Sequence, residues 1–265
     1  MNYHSKYNYL EVSQQGSVID LWLNRPERHN ALNLEMINEV IRFCNLIEND
    51  DQIKIVVLRG RGSSFCAGAD LEWMKHSINL NPSDNLKECV NLSLFYKTIF
   101  DSPKTFIAMV HGNCFGGGVG LAAVCDILYT THDARFSLSE TRLGLVAATI
   151  TPYLLNRVRP NILKELVLTA RSFNGIEAAS NGMANQSFDR QETAANHLNY
   201  IIEQISGNGP RALKESKRLI NSLSDFSTHD AEIANIPHLL AQLRVSEEAR
   251  EGFNAFLEKR KPIWP

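Results

Sequence analysis

Three short stretches carry residue types whose spacing could do chemistry. CAGAD, Cys66 to Asp70, and FGGGVG, Phe115 to Gly120, each stand between an apolar, strand-like run and the start of a helix. Backbone N–H groups at such a start lack an intrahelical partner and carry the positive end of the helix dipole. Two of them, from neighbouring crossovers, could converge on one oxygen and stabilise charge developing on a carbonyl. Small residues suit that use, because a side chain would block the carbonyl. They suit close helix–strand packing equally, and spacing alone leaves both readings open. The third stretch is SETRLGL, where Glu140 comes after strand-like DARFSL at a turn and could face a ligand. A lone glutamate is more often a solvated charge.

Other chemistries fit less well. Gly118-Val-Gly120-Leu-Ala-Ala123 satisfies G-x-G-x-x-A, the mark of a dinucleotide fold, and Glu140 lies near the spacing of a ribose contact. The next strand-like run already begins at Ile127, which leaves no room for a full crossover helix. No Gly-Lys-Ser/Thr comes after the glycines, so a Walker A loop is excluded. Ser63 and Ser64 have no G-x-S-x-G setting. The 8 histidines, His111 and His132 among them, form neither HExxH nor a Cys/His ligand set. The 5 cysteines, Cys44, Cys66, Cys89, Cys114 and Cys125, are scattered and read as reduced structural thiols.

At the level of the whole chain, 265 residues with 44% hydrophobic and 21% charged content can build one sizeable core with or without an appendage. A net charge of −2 gives no footprint for nucleic acid or an anionic membrane. The opening MNYHSKYNYLEVSQQ has neither a signal-peptide apolar region nor an Arg-rich transit character, and no apolar run spans a bilayer. A cytoplasmic enzyme or binding protein is expected.

Periodicity places the elements. YNYLEVSQ and SVIDLWLN flank Gly16 as an antiparallel pair. RPERHNALN is a loop, and LNLEMINEVIRFCNLIEND shows helical spacing. IKIVVLRG and TFIAMVHG read as buried parallel strands, with RGSSFCAGAD as a loop, a helix from Asp70 and another over 85–100. The first half thus alternates as βαβ units. Beyond Asn161 the pattern is helical and strand candidates disappear, a soft boundary.

Together RPERHNALN, SSFCAGADLEWM, FGGGVGLAAVCDI, SETRLGL and the tail AFLEKRKP resemble the crotonase, or enoyl-CoA hydratase/isomerase, family, in the family's order and over nearly the whole chain. The resemblance implies an α/β fold of the ClpP/crotonase-like kind, a ββα superhelix in two roughly perpendicular sheets with a C-terminal helical trimerisation region. Residues 1–160 would be the ββα-repeat, acyl-CoA-binding catalytic core, and residues 161–265 the trimerisation region of a homotrimer or homohexamer. It implies no cofactor beyond the coenzyme A thioester that is the substrate, and neither a nucleic-acid nor a membrane partner.

By position, the resemblance makes the amides of Ala69 and Gly117 the oxyanion hole for a thioester oxygen, and Glu140 the acid/base at the carbon α to it. Arg28, Ala31, Ala67, Gly68, Asp70 and Leu71 match the family's CoA-binding positions. Lys259 matches a tail lysine that reaches a neighbouring subunit's CoA phosphates. One departure stands out: Gly120 occupies the place of the family's first catalytic glutamate. The combination GADLEWM, FGGGVGL, SETRLGL and TITPY resembles bacterial hydratases of the methylglutaconyl-CoA kind. Hydration of a branched 2-enoyl-CoA is the expected activity, with Arg142 a candidate for reading a distal carboxylate. Alternatives are a Δ3-Δ2-enoyl-CoA isomerase using Glu140 alone, and a non-catalytic acyl-CoA or RNA binder. The acidic balance argues against RNA, and the presence of Glu140 argues against a dead binder.

Overall fold

Residues 10–23 make the expected hairpin, β1 (Leu10–Gln15) and β2 (Val18–Leu23), turning at Gly16. Every second side chain of β2 (Ile19, Leu21 and Leu23) is fully buried, as in a strand with one face on a core. A 3-10 turn, Pro26–Arg28, leads to α1 (Leu34–Ile47). Asn33 caps that helix by accepting from the Met36 amide at 2.9 Å. Its apolar side, including Ile37, Val40 and Phe43, enters the main core. The computed structural model describes residues 7–77, 79–223, 247, 251, 254–255 and 258–264.

The apolar runs read as parallel strands are β3 (Ile55–Gly60) and β5 (Thr105–Val110), and the strand-like run at Ile127 is β7 (Ile127–Thr131). With β10 (Gln186–Phe188) they extend the hairpin into one six-stranded sheet, ordered β1-β2-β3-β5-β7-β10 and parallel after the hairpin. Its faces carry two separate apolar clusters, as a doubly covered parallel sheet requires.

The second sheet positions the site. After β3, β5 and β7 the chain makes one more short strand each time: β4 (Ser64–Cys66), β6 (Asn113–Phe115) and β8 (Arg135–Ser137). These three are parallel and ordered β4-β6-β8, with β9 (Phe173–Asn174) antiparallel at the edge. Cys66 lies opposite Cys114, and Cys114 opposite Phe136. Neighbouring strands are about 4.8 Å apart, so the segments leaving their ends are delivered to one place. Those segments are α2 (Leu71–Ser77) after β4, α4 (Gly117–Ala123) after β6, and a 3-10 turn, Glu140–Leu143, after β8.

Two expectations need correction. The loop read over RGSSFCAGAD contains β4, which is too short to show alternation. Strands also continue past Asn161, because β9 and β10 join both sheets, so the layers run on to Phe188. A smaller difference concerns α3 (Pro82–Phe100), which opens before Asn85 because Asn81 caps it and Pro82 takes its first position. The remaining helices are α5 (Thr151–Leu155), α6 (Pro160–Thr169), α7 (Gly175–Ser180), α8 (Gln191–Ser206) and α9 (Pro210–Leu223). The helix expected over SEEAREGFNAFLEKR lies largely outside the described residues.

Cys44, Cys66, Cys114 and Cys125 are buried free thiols and Cys89 is an exposed one. Burial pushes Cys44, Cys66 and Cys125 up to about 12, which removes them as nucleophiles at neutral pH. Among the described residues no helix is long and apolar enough to cross a membrane.

Candidate active site

The three strand ends bring together two free amides and one carboxyl group. Leu32 forms a parallel bridge with Ala69: its N–H donates to the Gly68 carbonyl at 2.7 Å, and its carbonyl accepts from Asp70 at 2.8 Å. Ala69, between those contacts, turns its own N–H the other way. Gly117 opens α4, so its N–H has no helical partner. Among the described residues neither amide donates to any acceptor.

The loops that carry them touch. A Cβ on Gly68 would stand 2.9 Å from the Phe115 oxygen and 3.8 Å from the Gly117 nitrogen. Gly68 and Gly116 also sit at φ +94° and +47°, where an L side chain is strained. Close approach and backbone conformation therefore demand glycine at both positions.

Glu140 closes the arrangement. A Cβ on Gly116 would lie 3.2 Å from its Oε1, so the carboxyl group rests against the residue that precedes the Gly117 amide. Its Oε2 is buried with no hydrogen-bond partner. Burial raises the carboxyl group above its usual 4.5, opposed in part by its own backbone amide. A half-buried acid with an unpaired oxygen, beside two unpaired amides, is equipped to move a proton next to a carbonyl that becomes an oxyanion.

Gly120, where the family resemblance puts a second glutamate, brings no carboxyl group. A Cβ on Gly120 would meet Ile150 Cγ2 at 2.1 Å and Tyr96 Cε1 at 3.2 Å. Ile150 is 2% exposed, so an apolar side chain fills the space that a second glutamate would need. Gly118 is likewise a packing glycine, its Cβ position 2.3 Å from the Cys66 oxygen. The dinucleotide-like spacing is thus a packing pattern, Gly118 against β4 and Gly120 against Ile150 and Tyr96, and the unpaired amides are those of Ala69 and Gly117.

The other expected residues divide. Ala67, Gly68, Asp70 and Leu71 lie in the Ala69 loop, with Leu71 exposed and Gly68 buried. The Asp70 carboxylate is 2.6 Å from Arg25 and also accepts from the Glu72 and Trp73 amides at 2.7 and 3.1 Å. Asp70 thereby starts α2 and ties this loop to the segment carrying exposed Arg28 and buried Ala31. Arg25 also donates to the Ala31 carbonyl at 3.1 Å. Arg142 is exposed on the Glu140 turn. Lys259 is exposed at φ +55°, and no contact among the described residues joins it to the Ala69 loop, the Gly117 loop or the Glu140 turn.

Asn30 is a positioning residue that the sequence motifs do not reveal. It is fully buried at φ +55°, accepts from the Arg25 amide at 2.9 Å, and donates to the Arg61 and Ser64 carbonyls, each at 2.8 Å. It clamps the Arg28 loop to the strand ends. An asparagine beside a histidine in a loop gives no signal of that role.

Comparison with known proteins agrees with this geometry. The family model described as Enoyl-CoA hydratase/isomerase matches residues 13–265. A Delta(3,5)-Delta(2,4)-dienoyl-CoA isomerase of Arabidopsis thaliana is 30% identical over 97% of this chain and 96% of its own. A mevalonyl-coenzyme A hydratase of Aspergillus fumigatus is 30% identical over 93% and 91%. A crystal structure of an enoyl-CoA hydratase from Shewanella pealeana superposes with a TM-score of 0.91 at 33% identity, covering 97% of this chain and 96% of that one.

Proposed function

This chain belongs to the enoyl-CoA hydratase/isomerase family, and from that premise we propose that it adds water to a 2-enoyl-CoA with Glu140 as its single proton carrier. The observation that carries this reading is the half-buried Glu140, one oxygen unpaired, beside two unpaired amides. The thioester oxygen would accept from Ala69 and Gly117. The ionised carboxylate takes a proton from water while the water oxygen bonds to the β-carbon. The electron pair of the double bond passes to the thioester oxygen as an enolate. The same carboxyl group then returns its proton to the α-carbon, and atoms and charge balance. Losing one such oxyanion donor typically costs about 3–4 kcal/mol of transition-state stabilisation.

The likeness of GADLEWM, FGGGVGL, SETRLGL and TITPY to methylglutaconyl-CoA hydratases supports a branched acyl group, and the mevalonyl-coenzyme A hydratase among the relatives supports hydratase chemistry. Arg28, Ala31 and 67–71 would hold the CoA. We read the assembly as a homotrimer or homohexamer built through residues 161–265, in the cytoplasm. Leu86, Val90 and Leu94, four apart on α3 and 47–64% exposed, are an apolar stripe of the kind that marks an interaction surface.

A second reading rests on Ile150. With an apolar side chain where a second carboxylate would grip water, Glu140 could instead shuttle one proton between two carbons and move a double bond from position 3 to 2. A dienoyl-CoA isomerase among the relatives agrees with that chemistry. Mass spectrometry of 3-methylglutaconyl-CoA and crotonyl-CoA incubated with enzyme in deuterated water separates the two. Gain of one water, abolished in Glu140→Gln, supports the hydratase. Deuterium uptake without hydration supports the isomerase, and no change in either substrate counts against both for these acyl groups.

A further inference from the structure

The Gly117 amide is held at two points by its neighbours. The Gly116 carbonyl accepts from Val119 at 2.9 Å and Gly120 at 3.3 Å, which locks that carbonyl into the first turn of α4. Peptide planarity then aims the Gly117 N–H away from the helix. On the strand side, the Gly116 N–H donates to the Ser137 carbonyl at 2.8 Å. The next peptide, that of the Gly117 carbonyl, is the first inside α4 and lies between two glycines.

Tyr96 meets that peptide. This tyrosine is fully buried on α3, and its hydroxyl donates to the Gly117 carbonyl at 3.0 Å across 21 positions of sequence. A Cβ on Gly117 would stand 2.8 Å from that hydroxyl oxygen and 3.3 Å from Leu32 Cδ1. The ring also lies under Gly120. Burial holds the phenol well above its usual 10, so it stays protonated and donating.

We propose that Tyr96 is a positioning residue for the thioester reaction: its hydroxyl holds the carbonyl of Gly117 and thereby the backbone of that residue, so that the Gly117 N–H meets the developing oxyanion. Tyr96 acts through Gly117, and the role presupposes the oxyanion-hole reading of the site. Small misplacements of such a donor are expensive in rate, whereas ground-state binding of the CoA moiety does not depend on it. Tyr96→Phe removes one oxygen and leaves the ring against Gly120.

The probe is cinnamoyl-CoA, whose conjugated thioester absorbs further to the red when its carbonyl is polarised. Wild-type protein should shift the band, and Tyr96→Phe should reduce the shift at saturating ligand. On a turned-over enoyl-CoA, kcat should fall about tenfold with KM changed less than about twofold. Gly117→Ala should lose the shift, and adding Tyr96→Phe to it should cost little more, since both act on the backbone of one residue. If Tyr96→Phe keeps both the full shift and kcat, or if its loss adds fully to that of Gly117→Ala, the positioning role is wrong. If the wild-type protein shows no shift, the oxyanion reading fails and the role fails with it. Should Tyr96→Phe fold poorly by circular dichroism, 3-fluorotyrosine at position 96 gives the same test: a better-donating hydroxyl should raise the shift, and no change overturns the role.

Discussion

At the scale of single residues the proposed site has one carboxyl group, Glu140, and a glycine, Gly120, where the family resemblance puts a second. Glu140 sits above its usual 4.5 because burial penalises its charge. Exchange of the α-hydrogens of a saturated acyl-CoA needs the ionised form. Its rate, tracked by mass spectrometry in deuterated water, should therefore fall with decreasing pH along a limb centred above 4.5, and vanish in Glu140→Gln. The same shift has a stability consequence. A carboxyl group with a raised folded pKa contributes stability that is complete below the unfolded value and is lost as pH rises through the folded one. The Tm of the wild type relative to Glu140→Gln should thus decline as pH rises from about 4.5. The 2.1 Å approach of Ile150 to a Cβ on Gly120 predicts that Gly120→Glu alone gives no two-carboxylate enzyme. Overpacking of this kind costs about 1–3 kcal/mol, and an unpaired buried charge adds to it. Gly120→Glu with Ile150→Ala should recover part of the lost Tm in thermal melts. Recovery by neither change would mean that the backbone, not Ile150, closes the space.

At the scale of elements, the candidate site is built on short neighbouring strands that end close together. β4, β6 and β8 have three residues each, and their ends deliver the Ala69 loop, Gly117 and Glu140 to one point. The long apolar runs behind β3, β5 and β7 were legible because six or so β-branched and apolar residues in a row are a strong pattern. β4, β6, β9 and β10 were not, since two or three residues cannot show a period of two, and β8 was legible only within the longer run DARFSL. The chemistry-bearing loops were legible through their motifs. Tyr96, Ile150 and Asn30 were not, because each acts only through contacts the fold creates. Asn30 gives that difference a measurable form. Asn30→Ala strips a partner from one buried carbonyl, one part-buried carbonyl and one amide, and places a Cβ-bearing residue without a polar side chain at φ +55°. A loss of about 2–4 kcal/mol in urea unfolding is expected, at the upper end for buried hydrogen bonds. KM for CoA thioesters should rise as the Arg28 loop loosens.

At the scale of the whole molecule the open problem is how a site made at one end of a sheet acquires enough contacts for a large, charged thioester. Within one chain the Ala69 loop, Gly117 and Glu140 would hold the acyl end under the proposed function, while Lys259 stands exposed, with no contact to them among the described residues. Its segment is nevertheless fixed in place: Arg260 pairs with Glu251 at 2.6 Å, and the Trp264 indole donates to the Gly207 carbonyl at 2.9 Å. A lysine presented this way suits phosphate as a point charge, and the assembly we propose would let it serve a neighbour's ligand. Native mass should then be three or six times the 29.8 kDa of the chain. Lys259→Ala should raise KM for CoA thioesters several-fold, leave kcat nearly unchanged, and not affect thioesters of N-acetylcysteamine, which lack the phosphates. Mixing decides between service within a chain and service between chains. In oligomers co-assembled from Glu140→Gln and Lys259→Ala chains, a Lys259→Ala protomer keeps its own Glu140 and could borrow the intact lysine of its neighbour. Sites with the wild-type KM should reappear in the mixture, although neither parent has them. If the mixture shows only the raised KM, Lys259 serves the chain it belongs to, and the case for a shared site falls.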